Sequence, residues 1–160
     1  MTLDYEQRAL IRETNALLDD ERLRGTLRRH AHYLHPDVPA GSISTDIHPH
    51  CQMLWHSLAH HRDAGHAVSQ YFAVALQQYH TLRQIMDRVY GRDAFDLEVL
   101  DFACGYGRLL RFLIHSLPRG NITAAEILPE AVAYVGERLG VRTLESYADP
   151  TMFDPGSALM

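Results

Sequence analysis

One stretch constrains this chain more than any other. Leu97–Ala103 (Leu-Glu-Val-Leu-Asp-Phe-Ala) is a short apolar run, Gly105-Tyr106-Gly107 interrupts it, and an apolar helical pattern resumes at Arg108. A strand that turns through glycines into a helix is the opening of a βαβ unit. Both faces of the run carry buried-type side chains, so it is expected as a central strand of a parallel sheet. Arg108–Leu117 reads as the following helix, with Leu109, Leu110, Phe112, Leu113 and Leu117 as its apolar set, and Pro118-Arg119-Gly120 ends it. Ile122–Ile127 is expected as a second strand. Glu130–Leu139 is the next helix, entered at Pro129 and stopped by Gly140, and Val141–Ser146 is a third strand. Strand, helix, strand, helix, strand is one half of a doubly wound α/β sheet, and right-handed crossovers place its strands in the order 3-2-1.

The residues before this unit read as helical. Leu3–Leu18 is expected as a first helix, and Asp20–His32 as a second whose Arg22, Arg24, Arg28 and Arg29 lie on a wet face. Tyr33–His50 holds Pro36, Pro39 and Pro49 and reads as a long loop. The strongest periodicity runs over Ala67–Tyr90. Val68, Tyr71, Phe72, Ala75, Leu76, Tyr79, Leu82, Met86 and Val89 recur at steps of three or four, and Gly91 follows as a left-handed stop.

Composition narrows the function classes. With 160 residues, 46% of them apolar and 22% charged, the chain suits one ordinary domain with an appendage. Fifteen basic against twenty acidic residues leave a formal charge of −5, so no basic field is available for a phosphate backbone and nucleic acid is not an expected partner. Two cysteines, Cys51 and Cys104, make no disulfide framework, and a cytoplasmic location is expected. No apolar run approaches the ~20 residues of a membrane span, and Met1–Asp20 is acidic rather than signal-like.

The glycine turn itself points to a ligand, because residues without bulk let backbone N–H groups approach one closely. A dinucleotide fingerprint wants a third glycine where this chain has Leu110. A pyrophosphate also disfavours a carboxylate beside it, and Asp101 stands at the strand end, where a cationic amino-acid ligand would welcome it.

Asp101-Phe102-Ala103-Cys104-Gly105-Tyr106-Gly107 resembles motif I of the class I S-adenosylmethionine-dependent methyltransferases, Asp/Glu-x-Gly-x-Gly-x-Gly, with Ala103 where the family usually has glycine. Ala125-Glu126-Ile127 is similar to that family's acidic end of strand two, and Ala148-Asp149 to its acidic residue after strand three. The likeness covers roughly residues 67–150, the helix before strand one being similar to the family's helical preamble. It implies a helical N-terminal segment followed by a partial Rossmann-like sheet of about three parallel strands. The expected division is 1–66 as a helical and loop extension, 67–91 as the preamble helix, 97–150 as a partial cofactor-binding domain and 151–160 as a tail. The implied cofactor is S-adenosylmethionine. Asp101 would meet its cationic methionine end, the backbone of Ala103, Cys104 and Gly105 would line the homocysteine portion, and Gly107 completes the turn. Glu126 would take both ribose hydroxyls, Ile127 would pack on the adenine, and Asp149 would accept from the adenine amino group. Arg108 is expected as a first-turn arginine or a partner of the cofactor carboxylate. Tyr106 is expected to fill the loop, and Tyr71 to pack in the core rather than roof the cofactor.

Eleven histidines are unusual, and His48, His50, His56, His60, His61 and His66 lie close together with Cys51 among them. His56 and His60 would share a helix face, as metal ligands can, but no Cys-x-x-Cys pair or His-Glu-x-x-His base accompanies them. No metal is assigned, and the segment reads as a partly exposed one whose charge rises below about pH 6.5. His80 and His115 are read as packing or surface residues, and the Cys104 side chain as an inert part of the turn.

Strands beyond the third are not expected within the chain. Strand one would then lie at a sheet edge, and the chain would be the front half of a methyltransferase, by a shortened gene, a frameshift or deliberate truncation, with weak or no activity. No catalytic residue is assigned, and the methyl acceptor is unknown. Two alternatives stand beside this reading: a non-catalytic interaction protein that keeps the half-fold, and a NAD-binding oxidoreductase fragment. An open sheet edge also predicts self-association.

Overall fold

The computed structural model describes residues 4–17, 42–61, 63–91 and 96–147. The fold is mixed α/β, with five α-helices and one three-stranded parallel sheet among those residues. The chain divides into two units, Met1–Leu82 and Arg83–Met160.

In the first unit, α1 (Tyr5–Leu17) begins at a reciprocal cap. The Gln7 amide donates to Asp4 Oδ1 and the Asp4 amide to Gln7 Oε1, each at 2.8 Å. The described part of the expected loop, from Ser42 to His50, is non-helical as expected, and it buries Ile43 and Ile47. The carbonyl of Ile47 accepts from Asn15 of α1. A helix with no counterpart in the periodicity, α2 (Gln52–His60), buries Leu54, Ser57 and Leu58. The long helix α3 (Ala64–Tyr90), whose residues from Arg83 onward belong to the second unit, starts three residues before its expected first residue, because Asp63 caps it by accepting the His66 amide at 2.9 Å. Its stripe is buried at Val68, Tyr71, Phe72, Ala75, Tyr79 and Met86, whereas Val89 is exposed. Gly91 stops it at φ 59°. The expected helix at Asp20–His32 and most of the expected loop before Ser42 lie outside the described residues.

In the second unit, β1 (Val99–Phe102), β2 (Ile122–Glu126) and β3 (Arg142–Glu145) pair in parallel in the order β1-β2-β3, as the crossover rule requires. The middle strand is buried at all five positions. The register puts Asp101, Ala124 and Thr143 side by side, and Glu126, two residues beyond Ala124, on the same face. Helix α5 (Pro129–Leu139) covers that face: it buries Ala131, Val135 and Leu139, and a Cβ at its Gly136 would lie 3.4 Å from Thr143. It ends at Gly140 with φ 65°, as its sequence predicts.

Two expectations need correction. The helix after the glycine turn is α4 (Leu110–Leu113), four residues flanked by turns rather than the ten of Arg108–Leu117. The apolar set still buries Leu110, Phe112, Leu113 and Leu117, so the segment packs as expected, although i→i−3 bonds such as Phe112 to Leu109 and Ser116 to Leu113 interrupt the regular helical ladder. Nor is β1 buried on both faces. Leu100 is 50% exposed and Phe102 67%. The physical reason is that Leu100 and Phe102 stand on the face of β1 opposite the Asp101 face, which α5 covers.

The turn after β1 packs against α5 through Gly107. With φ +73°, a Cβ there would fall 2.6 Å from Leu139 Cδ1 and 3.4 Å from Val135 Cγ2. Gly107→Ala is therefore expected to lower the unfolding free energy by about 1–3 kcal/mol in a denaturant titration. Gly120→Ala, where a Cβ meets open space, should change it by less than about 0.5 kcal/mol.

Candidate functional site

The turn from Phe102 to Leu110 alternates hand. Ala103, Gly105 and Gly107 have φ of 57°, 55° and 73°. Left-handed backbone is nearly free for glycine but costs an L-residue about 1–2 kcal/mol. Ala103 therefore occupies the one position of the three where the departure from the glycine pattern carries strain. Its neighbours hold it there. The Cys104 amide donates to the Ala125 carbonyl at 3.1 Å, and the Gly107 amide to the Cys104 carbonyl at 3.1 Å. Strain of this kind persists only where the surroundings over-determine the conformation.

Tyr106 fills the loop, as its sequence context predicts. It is buried, its hydroxyl donates to Glu130 at 3.2 Å, and its ring meets Tyr134 edge-on at 5.8 Å. The turn is thus tied to α5 at a tyrosine as well as at Gly107. These α5 partners carry no sequence signal beyond their positions one turn apart on a helix.

Beneath the turn lie two acidic side chains. Glu126 ends β2 and is 7% exposed. Its Oε2 accepts the Gly105 amide at 2.8 Å, and its Oε1 accepts the Ile127 amide at 2.8 Å and the Leu128 amide at 3.3 Å. Asp101, on the same face of the neighbouring strand, is half-buried. Burial, and then the negative charge of Glu126, push its carboxyl up from 3.8 to about 6. The Cys104 thiol is pushed up to about 12, first by burial and then by Asp101 and Glu126. It is a neutral thiol at physiological pH and no nucleophile.

Asp101, Ala103, Cys104, Gly105, Gly107, Glu126 and Ile127 thus converge beyond the carboxyl ends of β1 and β2, the place where open parallel sheets take ligands. Ile127 is 51% exposed and offers an apolar surface beside the turn. Nothing lies within 4 Å of where a Cβ on Gly105 would stand, so a ligand can reach the backbone there. Asp149 lies outside the described residues. The ligand-free role of Glu126 is what sequence reasoning missed: an acid ending the second strand looks the same whether it faces a ribose or the amides of the neighbouring turn.

Tyr71 packs in the core of the first unit, 1% exposed and edge-on to Phe72 at 5.2 Å. In the same unit the histidines engage their own neighbourhood. His48 Nδ1 accepts the His50 amide at 3.2 Å, and His60 Nδ1 lies 2.7 Å from the His56 carbonyl. His56, His60, His61 and His66 are exposed. Burial and the nearby Arg119 charge lower the pKa of His115.

The chain matches no protein-family model, no curated protein and no solved structure.

Two stability effects follow from the turn. Ala103→Gly relieves the left-handed strain and restores flexibility to the unfolded chain, so a net gain of up to about 1 kcal/mol is expected in chemical denaturation. Asp101 binds its proton more tightly folded than unfolded, so its contribution to stability falls as pH rises from about 4 to about 6. Asp101→Asn is expected to melt higher than the parent at pH 7, by on the order of 1–3 kcal/mol, with the difference closing by about pH 4. An equal difference at both pH values would contradict the buried-carboxyl description.

Proposed function

We propose that the turn between Asp101 and Arg108 binds S-adenosylmethionine and that the chain serves methyl transfer of the class I type. One observation carries the reading. The open glycine backbone sits over a pair of carboxylates, Asp101 and Glu126, rather than over the start of a long helix. A pyrophosphate needs the positive end of a helix and no negative charge beside it. Here the helix after the turn has four residues, and two acids lie below. A ligand with a cationic end suits that field, and the resemblance at Asp101–Gly107, Glu126 and Ile127 names one.

When bound, S-adenosylmethionine supplies a methyl group on a sulfonium sulfur: the acceptor's lone pair forms the new bond to carbon as the sulfur–methyl bond breaks, leaving neutral S-adenosylhomocysteine. The chain's part is to hold and orient. Asp101 attracts the cationic methionine end. The backbone of Ala103, Cys104 and Gly105 lines the homocysteine portion, and Ile127 offers its exposed side chain to the adenine. Catalysis of this kind rests chiefly on alignment of two bound groups. The acceptor is left open, and no general base is assigned. Cys51 and Cys104 are free, which suits a reducing compartment such as the cytoplasm. No helix among the described residues is long and apolar enough to cross a membrane.

A separate observation favours a second reading. Leu100 and Phe102 are exposed on a strand that pairs on one side only among the described residues, and such an edge recruits another strand. Self-association through β1 is then the expected interaction, and it is compatible with the first reading. Sedimentation equilibrium should show concentration-dependent dimers that Leu100→Lys abolishes; a monomer at all concentrations would contradict it.

Calorimetric titration at pH 7.5 is expected to detect S-adenosylmethionine and S-adenosylhomocysteine but not NADH. Between pH 7.5 and pH 5, affinity for the sulfonium ligand should fall about tenfold as Asp101 takes its proton near pH 6. Binding of NADH in preference to both, or a pH-independent affinity for the sulfonium, would overturn the proposal.

A further inference from the structure

The role that the resemblance implies for Glu126 is a grip on both ribose hydroxyls, one to each carboxylate oxygen. The hydrogen bonds of this side chain leave no room for that grip without loss elsewhere. A carboxylate has about four acceptor positions, two on each oxygen. Oε1 already accepts two amides, from Ile127 at 2.8 Å and Leu128 at 3.3 Å, and Oε2 accepts one, from Gly105 at 2.8 Å. The group is 7% exposed, so water competes little for it. Two of the three donors follow Glu126 directly in sequence and hold its carboxylate over the start of the β2–α5 connection. The third lies twenty-one residues earlier, in the glycine turn. That bond joins the glycine turn to the end of β2, beside the Tyr106–Glu130 bond that ties the turn to α5, and it closes on Gly105 between the left-handed residues Ala103 and Gly107.

We infer that Glu126 is the fastener of the glycine turn, with one acceptor position, on Oε2, left for a ribose hydroxyl. The carboxylate sets the shape of the cradle before any ligand arrives, and it reads one hydroxyl rather than a diol. This single-hydroxyl specificity rests on the cofactor reading proposed above; the fastening of the turn does not. The longer Leu128 bond is the weakest of the three, yet giving it up would free a second position only on the oxygen that faces its own strand end. Surrender of the Gly105 bond would release the turn, so a second hydroxyl could be met only on Oε1 and at the expense of the Leu128 bond.

The two parts separate by experiment. Amide hydrogen exchange of the ligand-free chain, followed by NMR, should show the Gly105 amide protected at least tenfold relative to the unstructured rate. In Glu126→Gln, whose amide nitrogen would face an N–H donor, that protection should fall to within about threefold of the unstructured rate. If the variant does not fold, the protection in the unsubstituted chain decides: an unprotected Gly105 amide overturns the fastener. Protection that survives in a folded Glu126→Gln overturns it too. The ligand arm uses S-adenosylhomocysteine and its 2′-deoxy and 3′-deoxy analogues in calorimetric titration. One analogue should lose about tenfold in affinity and the other less than threefold. Equal losses for both would overturn the single acceptor position. A protected Gly105 amide together with no binding of S-adenosylhomocysteine would confirm the fastener while rejecting both the cofactor reading and the ribose specificity built on it.

Discussion

The bond from the Gly105 amide to the Glu126 carboxylate joins the two halves of the site. It acts together with the Cys104 amide, which ties the turn after β1 to β2, and with Tyr106 and the close approach of Gly107, which tie it to α5. A hydrogen bond to a charged acceptor in a place with little water is stronger than one between neutral groups. It acts where the backbone runs against its own preference, at Ala103. The parallel sheet supplies the setting. Its register brings Asp101 and Glu126 to one face, and its middle strand, buried throughout, keeps that face rigid.

The same arrangement stores free energy. Asp101 is held half-buried beside another negative charge, and Ala103 stands in left-handed backbone. Each is unfavourable for folding, and neither is needed to make a three-stranded sheet. Strain and shifted ionisation of this kind cluster at binding and catalytic sites in proteins generally.

Much of the second unit was legible in the sequence because its signals are local. Pro129 and Gly140 bracket α5, apolar runs bracket the strands, and the crossover rule orders them. The periodicity of α3 was legible for the same reason, although its start was not: Asp63 looks like any loop acid until it accepts the His66 amide. The failures lie where burial is decided by what is adjacent in space. Leu100 and Phe102 read as core residues, yet they stand on the face of β1 opposite the one α5 covers and are exposed. The apolar set after the turn read as a full helix, whereas the α-helix ends at Leu113 and tighter turns follow through Ser116. Glu126 was legible as the acidic end of the second strand, and its bond to the Gly105 amide was not, since that partner lies on another strand's turn.

The central claim is that this turn is shaped for a sulfonium-bearing nucleoside. Amide chemical-shift mapping by two-dimensional NMR addresses it most directly, because it locates a ligand residue by residue. On addition of S-adenosylhomocysteine, the largest shifts should fall on Asp101–Gly107 and on Glu126–Leu128, with those of α1 and α2 unchanged. Shifts centred on the histidine-bearing segment around His48–His60, or none anywhere at millimolar ligand, would contradict it.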